Sequence, residues 1–160
     1  MRNSECGMRN KIIRSVVFRS PFGWAGVAAT GQGIISVILP KKDKRAVELQ
    51  LEFAMLRTPN ASTELAEVST LRAFVVSLSV LGKAVKLLQQ YFSGEHVSFD
   101  LPLDLRYYTR FQQAVWKAAA EIPYGGTRSY AWIARRINNP RAARAVGQAM
   151  GANPVPVLIP

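Results

Sequence analysis

The sequence predicts an α+β protein in two parts, a small sheet-plus-helix domain over residues 1–103 and a mostly helical one over 104–160. Three observations carry that prediction. Apolar residues alternate between glycine-bearing turns from Ile13 to Leu39, they recur at helical spacing from Leu71 to Leu88, and short helical patterns separated by turn formers follow from Phe111 onward.

In the first part, Val16-Val17-Phe18 and Trp24 to Ala29 flank the turn Ser20-Pro21-Phe22-Gly23, and Thr30-Gly31-Gln32-Gly33 leads into Ile34 to Leu39. This reads as a three-stranded meander. Pro40 and the run Lys41-Lys42-Asp43-Lys44-Arg45 are expected to end the sheet in a solvated loop, with a nucleic-acid contact as the lesser alternative. From Arg45 to Tyr91 the pattern is helical, with a break near Thr58-Pro59-Asn60 and Gly94 as the stop signal. Leu71, Phe74, Val75, Leu78, Leu81, Val85 and Leu88 form an apolar stripe expected in the core. Val97 to Leu103 could add a strand, at an edge because of Pro102.

In the second part, one helix is expected from Phe111 to Ile122, burying Phe111, Val115, Ala119 and Ile122, until Pro123-Tyr124-Gly125-Gly126 breaks it. A second helix, capped by Thr127 or Ser129, turns Ala131, Ile133, Ala134 and Ile137 inward and Arg135-Arg136 outward. Asn138-Asn139 makes a tight turn, and Pro140 sits at the first-turn position of a third helix that runs to Met150, with Gly151 as its stop. A short helix, a tight turn and a basic third helix describe a helix-turn-helix. Arg141, Arg144 and Gln148 share one face of that third helix, among the small residues Ala142, Ala143, Ala145 and Gly147. Such a face could enter a nucleic-acid groove. The spacing fits an ordinary solvated arginine face equally well.

The chain holds 21 basic and 10 acidic residues, a formal charge of +11 that favours polyanionic partners. Residues 101–160 are about twice as basic per residue as the rest. No apolar run reaches the roughly 18 residues needed to span a bilayer, and the charged N-terminus lacks the apolar segment of a secretion signal, so a cytoplasmic location is expected. One cysteine, Cys6, and one histidine, His96, leave too few ligands for a zinc site, so neither metal nor cofactor is expected.

The succession Ser129-Tyr130, Asn139-Pro140-Arg141-Ala142-Ala143-Arg144-Ala145-Val146-Gly147 and Asn153-Pro154-Val155-Pro156-Val157-Leu158-Ile159-Pro160 resembles the DNA-binding half of the alkylguanine-DNA alkyltransferases, the methylated-DNA:protein-cysteine methyltransferases. A weaker resemblance covers Tyr91-Phe92-Ser93-Gly94-Glu95 and Phe99-Asp100-Leu101-Pro102-Leu103. It implies an N-terminal domain similar to a ribonuclease H fold and a winged helix-turn-helix-like DNA-binding domain. It also implies a partner, double-stranded DNA carrying guanine alkylated on its exocyclic oxygen, and a repair reaction that moves the alkyl group to a cysteine of the protein.

By the same resemblance, Arg144 matches the finger arginine that replaces a flipped base in the stack, and Tyr130 matches the tyrosine that pushes on the backbone phosphate. Ala143 and Gly147 match positions that let the recognition helix rest in the minor groove, and Arg141 and Gln148, which share the face of Arg144 by spacing, are taken as DNA-binding with them. Asn153 matches the asparagine that holds the turn before the active-site strand, while Met150, Val155 and Pro156 match the lining of the guanine pocket. Read without the family, Tyr130 is a half-buried aromatic at a helix start and Asn153 a turn residue before proline.

The family's acceptor, in a Cys-His-Arg segment, would follow Pro160, so the DNA-binding domain reads as incomplete and DNA or lesion binding without transfer is expected of these residues. Cys6 has no family counterpart as acceptor, and His96 reads as an exposed side chain rather than a base. Trp132 stands where the family often has Glu or Gln, which weakens a capping box at that helix. A monomer is expected of the complete protein, and association through Val155 to Pro160 if that apolar, strand-like segment is left as a free end. Two other readings are a non-catalytic alkyltransferase-like protein that binds lesions, and a helix-turn-helix transcription regulator.

Overall fold

The computed structural model describes residues 13–57 and 68–160, with the backbone alone over 68–77. Strands β1 (Arg14–Ser20), β2 (Gly23–Thr30) and β3 (Gly33–Lys41) form an antiparallel sheet in the order β1-β2-β3. Helices α1 (Lys44–Leu56) and α2 (Val68–Phe92) follow, then α3 (Arg110–Ala120), α4 (Tyr130–Arg136) and α5 (Ala143–Gly151).

The meander forms where the alternation of apolar residues places it, and it is covered on both faces. Ala25, Val27 and Ala29 of β2 join Phe18, Ile34, Leu81 and Leu88 in one core, while Ala28 packs with Ile35, Val47 and Leu51 under α1. Successive strand residues point to opposite faces, so a strand buried on both reads as a continuous apolar run. The first of these cores does not stop at the sheet. It continues through Trp116, Ile133, Val146, Val155 and Ile159, so the two halves of the chain share one interior.

The sheet runs one residue past Pro40, and the basic run is not a free loop. Lys41 closes β3, Asp43 caps α1 by accepting a hydrogen bond from the Arg45 N–H (2.9 Å), and Lys44 and Arg45 lie in the first turn. The break expected near Thr58-Pro59-Asn60 lies outside the described residues, as do Cys6 and the side chains of Leu71, Phe74 and Val75. Further along the stripe, Leu81 and Leu88 are buried and Val85 is partly buried, but Leu78 is 46% exposed. Gly94, at φ +89°, ends α2 as expected, with the N–H groups of Gly94 and Glu95 donating to the carbonyls of Tyr91 and Gln90 (3.0 and 3.1 Å).

Residues 97–103 do not form the expected strand. A single bridge joins Leu103 to Ile34, where the Ile34 N–H donates to the Pro102 carbonyl and the Asp104 N–H to the Ile34 carbonyl, both at 2.8 Å. Pro102 contributes only its carbonyl, having no N–H for a longer ladder. Gly33 makes this approach possible, since a Cβ there would overlap the Pro102 carbonyl.

Beside that bridge lies Asp104, 2% exposed. Its carboxylate accepts the Thr30 hydroxyl at 2.7 Å and a two-pronged contact from Arg106 at 2.6 and 2.8 Å. Burial alone would raise the Asp104 carboxyl, but the hydrogen bonds from Arg106 and Thr30 and the attraction of the guanidinium outweigh it and hold the group below its ordinary value. This clamp fastens the β2–β3 turn to the chain that links the two halves. A carboxylate with a depressed folded pKa stabilises the fold fully above its unfolded value, and that contribution disappears as the pH falls through the lower folded value. Asp104→Asn is therefore expected to lower stability by about 2 kcal/mol at neutral pH. Urea denaturation of both proteins checks this, and the gap between them should close in strong acid.

Candidate nucleic-acid interface

The second half is assembled around Trp116, which is fully buried on α3 and donates its indole N–H to the Ala149 carbonyl of α5 at 2.9 Å. Sequence reasoning overlooked this residue. A buried indole needs an acceptor, but nothing local shows that the acceptor lies 33 residues away. α3 begins with a full capping box, Thr109 with Gln112, and the edge of the Tyr108 ring meets Trp116 at 4.8 Å between centroids. Val115 and Ala119 are buried as expected, while Phe111 and Ile122 are only partly covered.

Ser129 caps α4 by accepting the Trp132 N–H at 3.2 Å, and Ile133 and Ala134 face inward. Arg135 and Arg136 are exposed, and Arg136 pairs with Glu121 at 2.7 Å. Asn138, at φ +55°, makes the tight turn. Pro140 does not open the third helix. Pro140 and Arg141 belong to a separate turn closed by the Ala142 N–H on the Asn139 carbonyl (3.0 Å), and α5 starts at Ala143 without a side-chain cap. Arg141 therefore projects from the turn ahead of α5, whereas Arg144 and Gln148 project from the helix itself, and all three are exposed. Gly151 is the last helical residue rather than a left-handed stop.

Val146 and Ala149 hold the inner face of α5 in the core. On the outer side, Tyr130 is 51% exposed, and its ring lies against Gly147. A Cβ at position 147 would sit 3.1 and 3.2 Å from two ring carbons. The absence of a side chain at Gly147 thus leaves room for the tyrosine ring on this side of α5. Tyr130 of α4 and Arg144 of α5 are brought to one surface by this contact between their helices, with Ala143 partly covered beside them.

The segment after α5 departs most from expectation. It is neither a strand nor a free edge. The Asn153 side chain accepts the Val155 N–H (3.0 Å) and donates to the Ile159 carbonyl (3.1 Å), folding the chain back on itself with Val157 at φ +77°. Val155 and Ile159 are buried, and the Val37 N–H of β3 donates to the Pro154 carbonyl at 2.8 Å. Pro154, Pro156, Val157 and Leu158 are partly buried, and Pro160 is exposed. Val155, expected in a pocket wall, is wholly enclosed in the core, and Met150 and Pro156 are partly buried. His96 is exposed and meets the Tyr124 ring edge-on at 4.4 Å between centroids.

Two family models divide the chain along these lines. The ribonuclease-like domain of 6-O-methylguanine DNA methyltransferase matches residues 13–105, and the DNA-binding domain matches 110–160. The chain belongs to the 6-O-methylguanine DNA methyltransferase family. The methylated-DNA--protein-cysteine methyltransferase of Mycobacterium tuberculosis is 57% identical over 77 residues, 48% of this chain and 46% of that protein. The inducible methyltransferase of Bacillus subtilis is 37% identical over 134 residues, 84% of this chain and 66% of that protein. Against the methyltransferase of Mycobacterium bovis and the constitutive one of Bacillus subtilis, the match likewise spans about half of each protein's length, 46% and 48%. Among solved structures, Mycobacterium tuberculosis O6-methylguanine methyltransferase superposes with a TM-score of 0.63 at 35% identity, covering 93% of this chain and 76% of that one. The same bacterium's OGT in complex with DNA gives 0.62 at 36%, covering 91% and 74%.

Two substitutions probe this methyltransferase-family surface. Asn153→Ala is expected to cost about 1–3 kcal/mol, because it leaves buried backbone groups of the fold-back without partners; chemical denaturation measures it. Gly147→Ala gains about 1 kcal/mol of helix propensity and crowds a half-exposed ring that can turn away. Its melting temperature should stay close to the parent's, while the fluorescence or NMR signal of Tyr130 shifts.

Proposed function

We propose that this chain is the DNA-recognition portion of a repair protein that rotates O6-alkylated guanine out of duplex DNA. The observation that supports it best is the pairing of Tyr130 with Gly147, which sets a half-exposed aromatic beside the exposed Arg144 on one basic surface. A duplex hides the alkylated oxygen, so reaching it requires unstacking at a cost of a few kcal/mol, less where the lesion already weakens pairing. Arg144 fills the vacated place in the stack, Tyr130 presses on the adjoining phosphate, and Arg141 and Gln148 hold the flanking backbone. Ala143 keeps the helix slim enough for close approach. Met150 and Pro156 shape the floor that receives the base, with Val155 backing them from the core, and Asn153 fixes that floor by folding the chain back.

Transfer of the alkyl group calls for a thiolate at the receiving end. The one cysteine in these 160 residues, Cys6, lies outside the described residues and outside the family's motif. The partner is duplex DNA, and no step needs a metal or cofactor. Among the described residues no helix is long and apolar enough to cross a membrane.

Binding to matched duplexes with and without O6-methylguanine tests the reading. Affinity should fall steeply with salt. Arg144→Ala should reduce the preference for the alkylated duplex about tenfold while leaving most of the affinity for the normal one. Equal losses on both would make Arg144 a phosphate contact and sink the flipping role.

A further inference from the structure

We propose that the sheet end formed by Arg19, Trp24 and Lys41, with Lys42, Lys44 and Arg45, is a second nucleic-acid contact that holds phosphates of the DNA engaged by α5. This rests on the proposed function in one respect: it takes duplex DNA as the chain's partner. The sheet register carries the proposal. Arg19 stands opposite Trp24 across the β1–β2 pair and Lys41 opposite Trp24 across the β2–β3 pair, so the three form a row on one face. The Arg19 guanidinium and the Lys44 ammonium each lie 5.6 Å from the centre of the Trp24 ring. The half-buried indole thus gathers cations from two elements and holds them in place. Lys42 and Arg45 are exposed next to them.

Little in the fold neutralises this charge. Against the five cations Arg19, Lys41, Lys42, Lys44 and Arg45 stand two carboxylates, Asp43, which caps α1, and Glu48, which pairs with Lys44 at 3.3 Å. Among the described residues, Arg19, Lys41, Lys42 and Arg45 make no ion pair with a carboxylate. Lys44 and Arg45 also occupy the first turn of α1, which contains no acidic residue, so they oppose the helix dipole at its positive end. Asp43 at the N-cap offsets this only in part, and an external polyanion would relieve the rest. A duplex presents one negative charge per roughly 1.7 Å of its axis and continues well beyond the footprint of one short helix. A membrane surface fits less well, because the aromatic at the centre is held between cations rather than free to insert.

The test uses the 160-residue chain and a duplex, with and without O6-methylguanine, titrated across a salt series. Replacing Lys41→Gln, Lys42→Gln and Arg45→Gln together leaves Trp24 and its two cations in place. The slope of log affinity against log salt should fall by about 2 to 3, at roughly 0.9 for each phosphate no longer neutralised. Affinity for both duplexes should drop by the same factor, at least about tenfold at low salt, with the lesion preference unchanged. Glu48→Gln, which frees Lys44, should strengthen binding to both about twofold, and it keeps the test open if the triple variant folds poorly. An unchanged slope in the triple variant together with unchanged affinity in Glu48→Gln overturns the proposal, even if the parent's preference still depends on Arg144. If the parent binds no duplex, the proposed function fails along with it. Binding of phosphatidylserine vesicles through these lysines, with the DNA slope unaltered, would reassign the patch to membranes.

Discussion

The exposed edge of β3 is the constraint on which the rest of the structure depends. A three-stranded sheet leaves unpaired backbone groups along its outer strand, and an uncovered row of them invites pairing with other chains. Here two pieces of the second half supply partners. Pro102 and Asp104 meet Ile34, and Pro154 meets Val37. The edge is thereby turned into the seam between the halves, and the linker and the fold-back after α5 are both fixed to the same strand. The Asp104 clamp reinforces the first contact from the side, tying Thr30 and Arg106 to one buried carboxylate.

Because the seam fixes Pro154, it also fixes the exit of α5. From there the indole of Trp116 holds the helix end through the Ala149 carbonyl, and Val146 and Ala149 set which face looks outward. Arg144 and Gln148 are exposed as a consequence of that inner packing. The position of Tyr130 follows from a second consequence, the absence of a side chain at Gly147. The surface proposed to act on a base pair is in this way assembled from contacts in the protein's interior. The acid-sensitive carboxylate at the seam, the fold-back and the exposed arginine belong to one mechanical chain.

Much of the fold was legible in the sequence because its signals are local. Alternation and turn residues mark the meander, Gly94 marks the end of α2, and Ser129 marks the start of α4. Misreadings arose where residue type and spacing did not show which contacts would form. Val155 to Pro160 has the composition of a strand, yet Asn153 bonds to both Val155 and Ile159 and closes it into a buried turn. Leu78 keeps the period of the α2 stripe but is exposed, while Leu81, one turn on, is buried. Pro140 looks like a first helical residue, but the turn it opens closes on Asn139 before α5 begins.

By itself, the sequence determined the order of the elements, the basic character of the second half and the motif that runs from Tyr130 to Pro160. These depend on residue type and spacing within a few turns of chain. The tertiary structure alone decided which edge is covered, where the Trp116 indole finds its acceptor, and that the ring of Tyr130 rests on Gly147. Each of these joins residues far apart in sequence, and its energy comes from burying polar groups only when their partners arrive, which no short window of sequence can display.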